Sequence, residues 1–414
     1  MAKDRTKLTP DRYLTAQEAA AALNVSLSTL YSYVSRGMLR SEPVAGHPRV
    51  RRYLQEDVSR LVERKELRSD PAKAAARSLR WGSPVLDSSL TLIDGGRIYY
   101  RGRDALELAQ QASVEEVAAL LWMGDPKEAE SLFTRPSGEL AEEIKGLFKR
   151  APHLGPVERC QIALPLGASI DHGAYDLRPM AVARTGVRIL RLLVSAVCGD
   201  AVSGPADVSL QKAWAPRRKT AATALRAALI LCADHELNVS TFTARCIASA
   251  QATPYEVVIG ALAALKGRRH GGQTVEVEAL FREAGRARRP RETLVNRLRL
   301  GGGLPGFGHP LYPNGDPRAA LLLSLAKTHG RGAVLEFAAE LVDAASGLTG
   351  ERPTVDFALV TMAHALGLPA ESPLALFTLG RALGWIAHAI EQYADAHLIR
   401  PRARYIGLTP ERST

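Results

Sequence analysis

The sequence predicts a mainly α protein in two parts: an N-terminal winged helix-turn-helix and a large helical body. Three observations carry this. Two short, well-capped helical segments joined by a tight turn lie within residues 13–37. From Trp81 onward apolar residues recur at helical spacing, with almost no β-branched alternation. The basic excess is also uneven: of a net charge of +11, residues 1–80 supply 16 Lys+Arg against 9 Asp+Glu, and the other 334 residues only 38 against 34. A nucleic-acid-binding module on a near-neutral body has that distribution, and so does a solvated basic tail. A length of 414 residues leaves room for two to three domains at roughly 100–200 residues each.

The first helix opens at Thr15-Ala16-Gln17-Glu18, a capping box with Thr15 as N-cap and Glu18 reaching back. It runs on to Leu23. Asn24-Val25-Ser26 turns the chain, and Ser26 or Ser28 caps a second helix through Leu30, Tyr31, Tyr33 and Val34. Arg36-Gly37 ends it, with a basic side chain in the last turn and a C′ glycine. His47, Arg49, Arg51 and Arg52, just before Tyr53, suggest a β-wing. Residues 55–68 return to helix, with Val58, Leu61, Val62 and Leu67 on one face. The domain then spans 1–70, and residues 71–80 of the Ala-rich run SDPAKAAARSLR are a linker.

The body, 81–414, opens with a hairpin: two short β-rich runs flank Asp94-Gly95-Gly96. Helical patterns follow at 104–124, 137–150, 179–198, 215–233, 240–266, 273–285, 291–300, 316–328, 332–346, 355–366 and 371–396. Helix–helix packing must hold such a body together, and the missing strands exclude a parallel α/β fold. Gly301-Gly302-Gly303-Leu304-Pro305-Gly306 matches G-x-G-x-x-G literally. A helix precedes it and Phe307-Gly308-His309-Pro310 follows, so it is no dinucleotide turn.

His235-Glu236 is not H-E-x-x-H, because Val239 stands four positions on. No other spacing suggests a metal. Cys160, Cys198, Cys232 and Cys246 form no CxxC pair and read as reduced, buried thiols. No stretch approaches the ~20 apolar residues of a membrane span, so no membrane partner is expected. MAKDRTKLTPDRY has no apolar core behind its charges, so a secretory leader is not expected and a cytoplasmic location is.

Three histidines lie in unusual settings: His235 in ADHELN, His270 in GRRHGG and His309 in GFGHP. Glycine neighbours let backbone approach a ligand closely. Arg318, Arg381, Arg400 and Arg402 recur near the ends of nearby segments. Guanidinium pairs bidentately with carboxylate, so arginines and histidines together suit a small polycarboxylate. Asp356, in Thr-Val-Asp-Phe, opens an apolar helix and reads on its own as an N-cap.

YLTAQEAAAALNVSLSTLYSYVSRGMLR, followed by RVRRYLQEDV, resembles the winged helix-turn-helix of MerR-like regulators and excisionases. The resemblance implies duplex DNA as a partner. Ser28, Thr29, Tyr31 and Ser32 would face the major groove, and Arg36, Arg49, Arg51 and Arg52 would bind phosphate.

The body resembles citrate synthase. LTLIDGGRIYYRGRDALELA, ADHELNVSTFTARCIASA, ALKGRRHGG, GFGHPLYPNGDPRA, TVDFALVTMAHALGLP, FTLGRALGWIAHAIEQ and LIRPRARYIG follow in that family's order, across 81–410. The resemblance implies an almost all-helical homodimer whose smaller domain, about 235–345, closes over the substrates. It implies condensation of acetyl-CoA with oxaloacetate to citrate and CoA, a tricarboxylic acid cycle reaction that needs no metal and no cofactor beyond the acyl-CoA substrate. Asp356 matches the base that removes the methyl proton, His270 the group that hydrogen-bonds the enol, and His309 the group that polarises the oxaloacetate carbonyl. His235, Arg318 and Arg381 match oxaloacetate-binding residues, and Arg400 an arginine contributed by the other subunit.

The sequence departs from the family at Arg268-Arg269 (usually Pro-Leu), at Gln273-Thr274 (usually Ala-Asn) and at Pro313, where a basic residue often meets CoA phosphate. The acyl-CoA is therefore the open point, and 2-methylcitrate synthase acting on propionyl-CoA is an alternative. A transcriptional regulator that uses the body as a metabolite sensor is another.

Overall fold

In a computed structural model of the chain, the described residues are 13–44, 47–55, 57–59, 61–62, 86–134, 146, 148–149, 151, 153–202, 204–287, 289–395, 397–403 and 405–408. They fall into two compact units divided between Asp87 and Ser88. The expected linker, 71–80, lies outside the described residues, as does most of the expected helix 137–150.

The first unit has strand β1 (Tyr13–Thr15), helices α1 (Ala16–Leu23) and α2 (Leu27–Ser35), and strands β2 (Ser41–Val44) and β3 (His47–Leu54). Local chemistry sets these bounds as the sequence predicts. Thr15 accepts from the Glu18 amide while the Glu18 carboxylate accepts from the Thr15 amide. Asn24 ends α1 in the left-handed region at φ 48°. Ser26, not Ser28, caps α2, and Gly37 follows it at φ 70°. The strands form an antiparallel sheet in the order β1-β3-β2. Ala19, Ala20, Leu23, Leu30, Leu39, Tyr53 and Val58 form its core. Residues 55, 57–59 and 61–62 are helical, while Leu67 lies outside the described residues.

The second unit opens with β4 (Thr91–Asp94) and β5 (Arg97–Tyr100), joined by Gly95 and Gly96 at φ 56° and 77°. Positive φ at both central residues is the hairpin turn that matches strand twist. A third short strand, β6 (Arg103–Asp104), adds to β5.

Helices follow: α3 (Ala105–Gln111), α4 (Val114–Met123), α5 (Glu128–Phe133), α6 (Pro156–Ile170), α7 (Pro179–Cys198), α8 (Ala206–Trp214), α9 (Ala221–Leu231), α10 (Val239–Ser249), α11 (Pro254–Leu265), α12 (Gln273–Ala287), α13 (Pro290–Arg299), α14 (Pro317–His329), α15 (Val334–Thr349), α16 (Val355–Leu366) and α17 (Ser372–Ala394). Two expected helices are each broken in two. Ser113 and Glu116 form a capping box that starts α4 inside the expected 104–124. Gln251 at φ 60°, with Pro254 at the head of α11, divides 240–266. The sequence reading missed α6, which carries Pro165 inside it.

Helix α17 is the spine of this unit, packed against α4, α6, α7, α9, α10 and α11. By length and composition it could cross a membrane, contrary to the sequence expectation, yet its apolar window is 94% buried inside this unit. It reads as a core helix. Glycines allow that fit. A Cβ at Gly384 would lie 2.3 Å from the Ala233 carbonyl oxygen, and one at Gly380 would lie 2.5 Å from that of Leu229. The segment after α9, which carries Asp234 and His235, is thus pressed directly onto α17. A second apolar cluster gathers Val277, Leu280, Leu294, Phe307, Leu341, Phe357 and Val360 from α12, α13, α15, α16 and the loop before α14. All four cysteines are free thiols, Cys160 and Cys232 buried, Cys198 and Cys246 partly so.

Candidate active site

The site is built around Asp316, the N-cap of α14. Its Oδ1 accepts from the Arg318 backbone amide at 3.0 Å and from Arg318 Nε at 2.9 Å. Its Oδ2 accepts from Arg318 Nη2 at 2.8 Å and from the Val355 amide at 3.1 Å. Both side chains are almost free of solvent contact. Burial disfavours the Arg318 cation, but Asp316 outweighs it and raises the guanidinium pKa. One carboxylate thus holds a buried cation on α14 and the first amide of α16.

The GFGH segment is fastened to the same place. Gly308 N–H donates to the Arg352 carbonyl and Thr354 N–H to that of Gly306, at 2.9 and 2.8 Å. Gly306 and Gly308 adopt φ 83° and 76°, and a Cβ at Gly306 would meet Val277 at 2.7 Å. This bridge sets His309 next to the start of α16. His309 Nδ1 accepts from the Leu311 amide at 3.2 Å. Burial first, then Arg318, lowers its pKa. The neutral ring therefore carries its proton on Nε2, as a donor.

His235 follows α9, before Glu236 at φ 52°. Its Nε2 lies 3.0 Å from Tyr312 Oη, and its ring centroid is 5.2 Å from that of His309. Arg318 lies over the Tyr312 ring at 5.3 Å. Burial, with Arg318 and Arg381 adding to it, depresses the His235 pKa far below the usual imidazole range. Arg381, on α17, donates from Nε to the Cys232 carbonyl at 2.8 Å and lies over Phe377 at 4.9 Å. Behind it, fully buried Asp234 accepts from Thr91 Oγ1 at 2.6 Å and lies 3.3 Å from His388 Nε2.

Asp356 stands in the first turn of α16. Thr354, not Asp356, is the N-cap residue there, and its hydroxyl lies 3.4 Å from Asp356 Oδ2. Desolvation pushes the Asp356 carboxyl up to about 6, Arg318 opposes the shift, and Asp316 adds to it. A carboxylate near that value is ionised at neutral pH and still basic enough to take a proton.

His270 sits in the turn before α12. Its Nε2 is 2.8 Å from Ser240 Oγ, and its ring meets Phe377 edge-on at 5.9 Å. Burial, then Arg381, lowers its pKa to about 3. It is a neutral imidazole, with one nitrogen a donor and the other an acceptor.

The fold thus brings together six of the seven expected residues: His235, His270, His309, Arg318, Asp356 and Arg381. Arg400 is exposed on the segment 397–403 and makes no hydrogen bond to the six among the described residues. Sequence reasoning missed Tyr312, Asp316, Ser240 and Phe377. Asp316 had a visible signal, since Asp-Pro-Arg combines an N-cap, a Pro at N1 and a cation in the first turn. Of the departures, Arg268 is exposed and pairs with Glu276 at 2.9 Å, and Arg269 and Pro313 are exposed.

In the first unit, Ser28 and Tyr31 are exposed on α2, while Thr29 and Ser32 are partly covered. Ser28 and Thr29 hydroxyls both bond to Ser26. Arg36 is exposed, and Arg51 donates to Ser41. Arg52 is committed within the sheet, paired with Glu42 at 2.6 Å and stacked over Tyr13 at 4.5 Å. The Arg49 side chain lies outside the described residues.

Two buried cations, three neutral imidazoles and one desolvated carboxylate define a class: helical enzymes able to hold a small polycarboxylate and deprotonate a weak carbon acid beside it. The particular family follows from comparison. Residues 78–402 match the model of the citrate synthase C-terminal domain, and 13–66 match a helix-turn-helix domain. Citrate synthase 2 of Bacillus subtilis is 30% identical over 358 residues, 80% of this chain and 96% of that protein. A 2-methylcitrate synthase of Shewanella oneidensis is 28% identical over 378 residues, 83% and 98% of the two chains. The Thermoplasma acidophilum citrate synthase, solved as a ternary complex with carboxymethyl coenzyme A and oxaloacetate, superposes with a TM-score of 0.68. Its identity is 26%, over 80% of this chain and 96% of that one. The chain belongs to the citrate synthase family and is a citrate synthase-type enzyme with an N-terminal helix-turn-helix domain.

Removing one partner of a buried ion pair strands the other charge, at about 3–5 kcal/mol. Asp316→Asn should therefore cost stability on that scale in chemical denaturation. A variant as stable as the parent would show that Asp316 does not hold Arg318.

Proposed function

We propose that the body condenses acetyl-CoA with oxaloacetate and hydrolyses the resulting thioester, giving citrate and CoA. The observation that carries this reading is the desolvated carboxylate of Asp356 beside Arg318 and the neutral histidines. A metabolite sensor would need the arginines for binding, but not a carboxylate raised to about 6.

Asp356 takes a methyl proton from the thioester while His270 donates a hydrogen bond to the enol oxygen. The enol carbon attacks the oxaloacetate carbonyl, to which His309 donates from Nε2. Arg318, Arg381 and His235 hold the oxaloacetate, and Arg400 of a second copy completes its carboxylate contacts in a homodimer. Water then cleaves the thioester and releases CoA. The chemistry calls for no metal or further cofactor. Propionyl-CoA as the acyl donor is the second reading, supported by the 2-methylcitrate synthases among the relatives. One methylene is worth only about 1–3 kcal/mol of pocket discrimination.

For the first unit we propose duplex DNA binding, with α2 toward the major groove and Arg36, Arg49 and Arg51 on phosphate. We propose a cytoplasmic location for the protein.

Asp356→Asn should lower kcat at least ~100-fold, the loss expected of a general base. In the parent enzyme, activity should rise with pH through about 6 as Asp356 ionises. The sign for stability is opposite. Folding raises this carboxyl's pKa, so its contribution to stability is lost as pH rises from its unfolded value to about 6. The Asn variant should therefore melt no lower than the parent at pH 7.5. Near-parental turnover would remove Asp356 from the mechanism.

A full-length variant with Arg36, Arg49 and Arg51 all changed to Ala should bind every duplex more weakly, with a shallower salt dependence than the parent. No mobility shift by the parent even at low salt would mean that the module does not bind DNA.

The shared site has its own test. Arg400→Ala and Asp356→Ala should each be nearly inactive. Unfolded and refolded together, they should recover roughly a quarter of parental activity, because half the dimers are mixed and each mixed dimer has one intact site. A mixture as inactive as its parents would place Arg400 in its own subunit's site.

A further inference from the structure

Ser240 Oγ has three polar neighbours and one proton. It lies 2.8 Å from Asn238 Oδ1 and 2.8 Å from His270 Nε2, and it accepts from Trp385 Nε1 at 3.2 Å. A hydroxyl offers one donor and two acceptor lone pairs, and indole N–H is only a donor. Trp385 therefore occupies one lone pair. The orientation of the Asn238 amide follows from its other contacts: Oδ1 accepts from the Thr241 amide at 3.2 Å, and Nδ2 donates to the His235 carbonyl at 3.4 Å. The atom facing Ser240 is thus an acceptor.

Two arrangements remain. If Ser240 donates to His270, two oxygens face each other at 2.8 Å with no proton between them. If Ser240 donates to Asn238, its second lone pair accepts from His270 Nε2–H, and all three contacts are satisfied. The second arrangement is preferred in a buried place, where an unmade hydrogen bond costs about 1–3 kcal/mol.

We propose that Asn238 is a positioning residue that competes with His270 for the Ser240 proton and so decides which nitrogen of His270 carries hydrogen. In the substrate-free enzyme the proton sits on Nε2, and Nδ1, the nitrogen left for substrate, is bare. His270 can donate to an enol oxygen only after the Ser240 hydroxyl turns from Asn238 to His270. The ring stays neutral throughout: solvent water takes one proton from Nε2 and supplies one to Nδ1. The proposal rests on the reading of His270 as the enol's donor.

The test is nitrogen NMR of the full-length protein with 15N-labelled histidine, which distinguishes the tautomers of a neutral imidazole. Asn238 also caps α10, and Asn, Asp and Ser are comparable caps, so the substitutions leave that helix end satisfied. His270, assigned by its absence in His270→Gln, should be the Nε2–H tautomer in the free parent and in Asn238→Asp. It should be the Nδ1–H tautomer in Asn238→Ser, and in the parent with oxaloacetate and carboxymethyl coenzyme A. Asn238→Asp should also lose about tenfold or more in kcat at saturating substrates. An Nδ1–H ring in the free parent, or an unchanged tautomer in Asn238→Ser, would overturn the proposal. The free-enzyme spectra need no turnover, so they judge this idea separately from the proposed reaction.

Discussion

The double use of Asp316 is the constraint on which the rest of the site depends. A carboxylate with both oxygens committed cannot shift without stranding either the Arg318 charge or the first amide of α16. The guanidinium and Asp356 are therefore held in one frame, and the GFGH bridge adds His309 to it. Six short backbone and side-chain links fix these charges and donors in place.

The electrostatics follow from that frame. Burial first, and then the two guanidiniums, suppress imidazolium at the three histidines, which are neutral donors and acceptors. Each guanidinium keeps a carboxylate of its own: Asp316 binds Arg318 directly, while Asp234 acts on Arg381 through space. Asp356 is the exception. Its desolvation is only partly offset, which leaves a carboxylate that is costly to ionise and hence useful as a base.

Local chemistry made much of this legible beforehand. The Thr15–Glu18 capping box, the Gly37 terminus, the Asp94-Gly95-Gly96 hairpin and the placement of Asp356 at a helix start all depend on neighbours within a few positions. Elements that local patterns obscure were lost: Pro165 hid α6, and a continuous apolar run masked the break at Gln251 that Pro254 signals. Partners recruited across the fold were also invisible. Ser240, Tyr312, Phe377 and Trp385 acquire their roles only when α10, α17 and the loop before α14 meet. The pairing of Arg52 with Glu42 was not visible in the sequence either, because Glu42 becomes its cross-strand neighbour only in the antiparallel sheet.

The central claim is that this constellation forms a carbon–carbon bond between a thioester and a keto diacid. It is tested most directly by following free thiol from the full-length protein with oxaloacetate and acyl-CoA, supplied singly and together. The account predicts thiol release that requires both substrates, with acetyl-CoA or propionyl-CoA as the donor. Thiol release independent of oxaloacetate, or none with either donor, would contradict it.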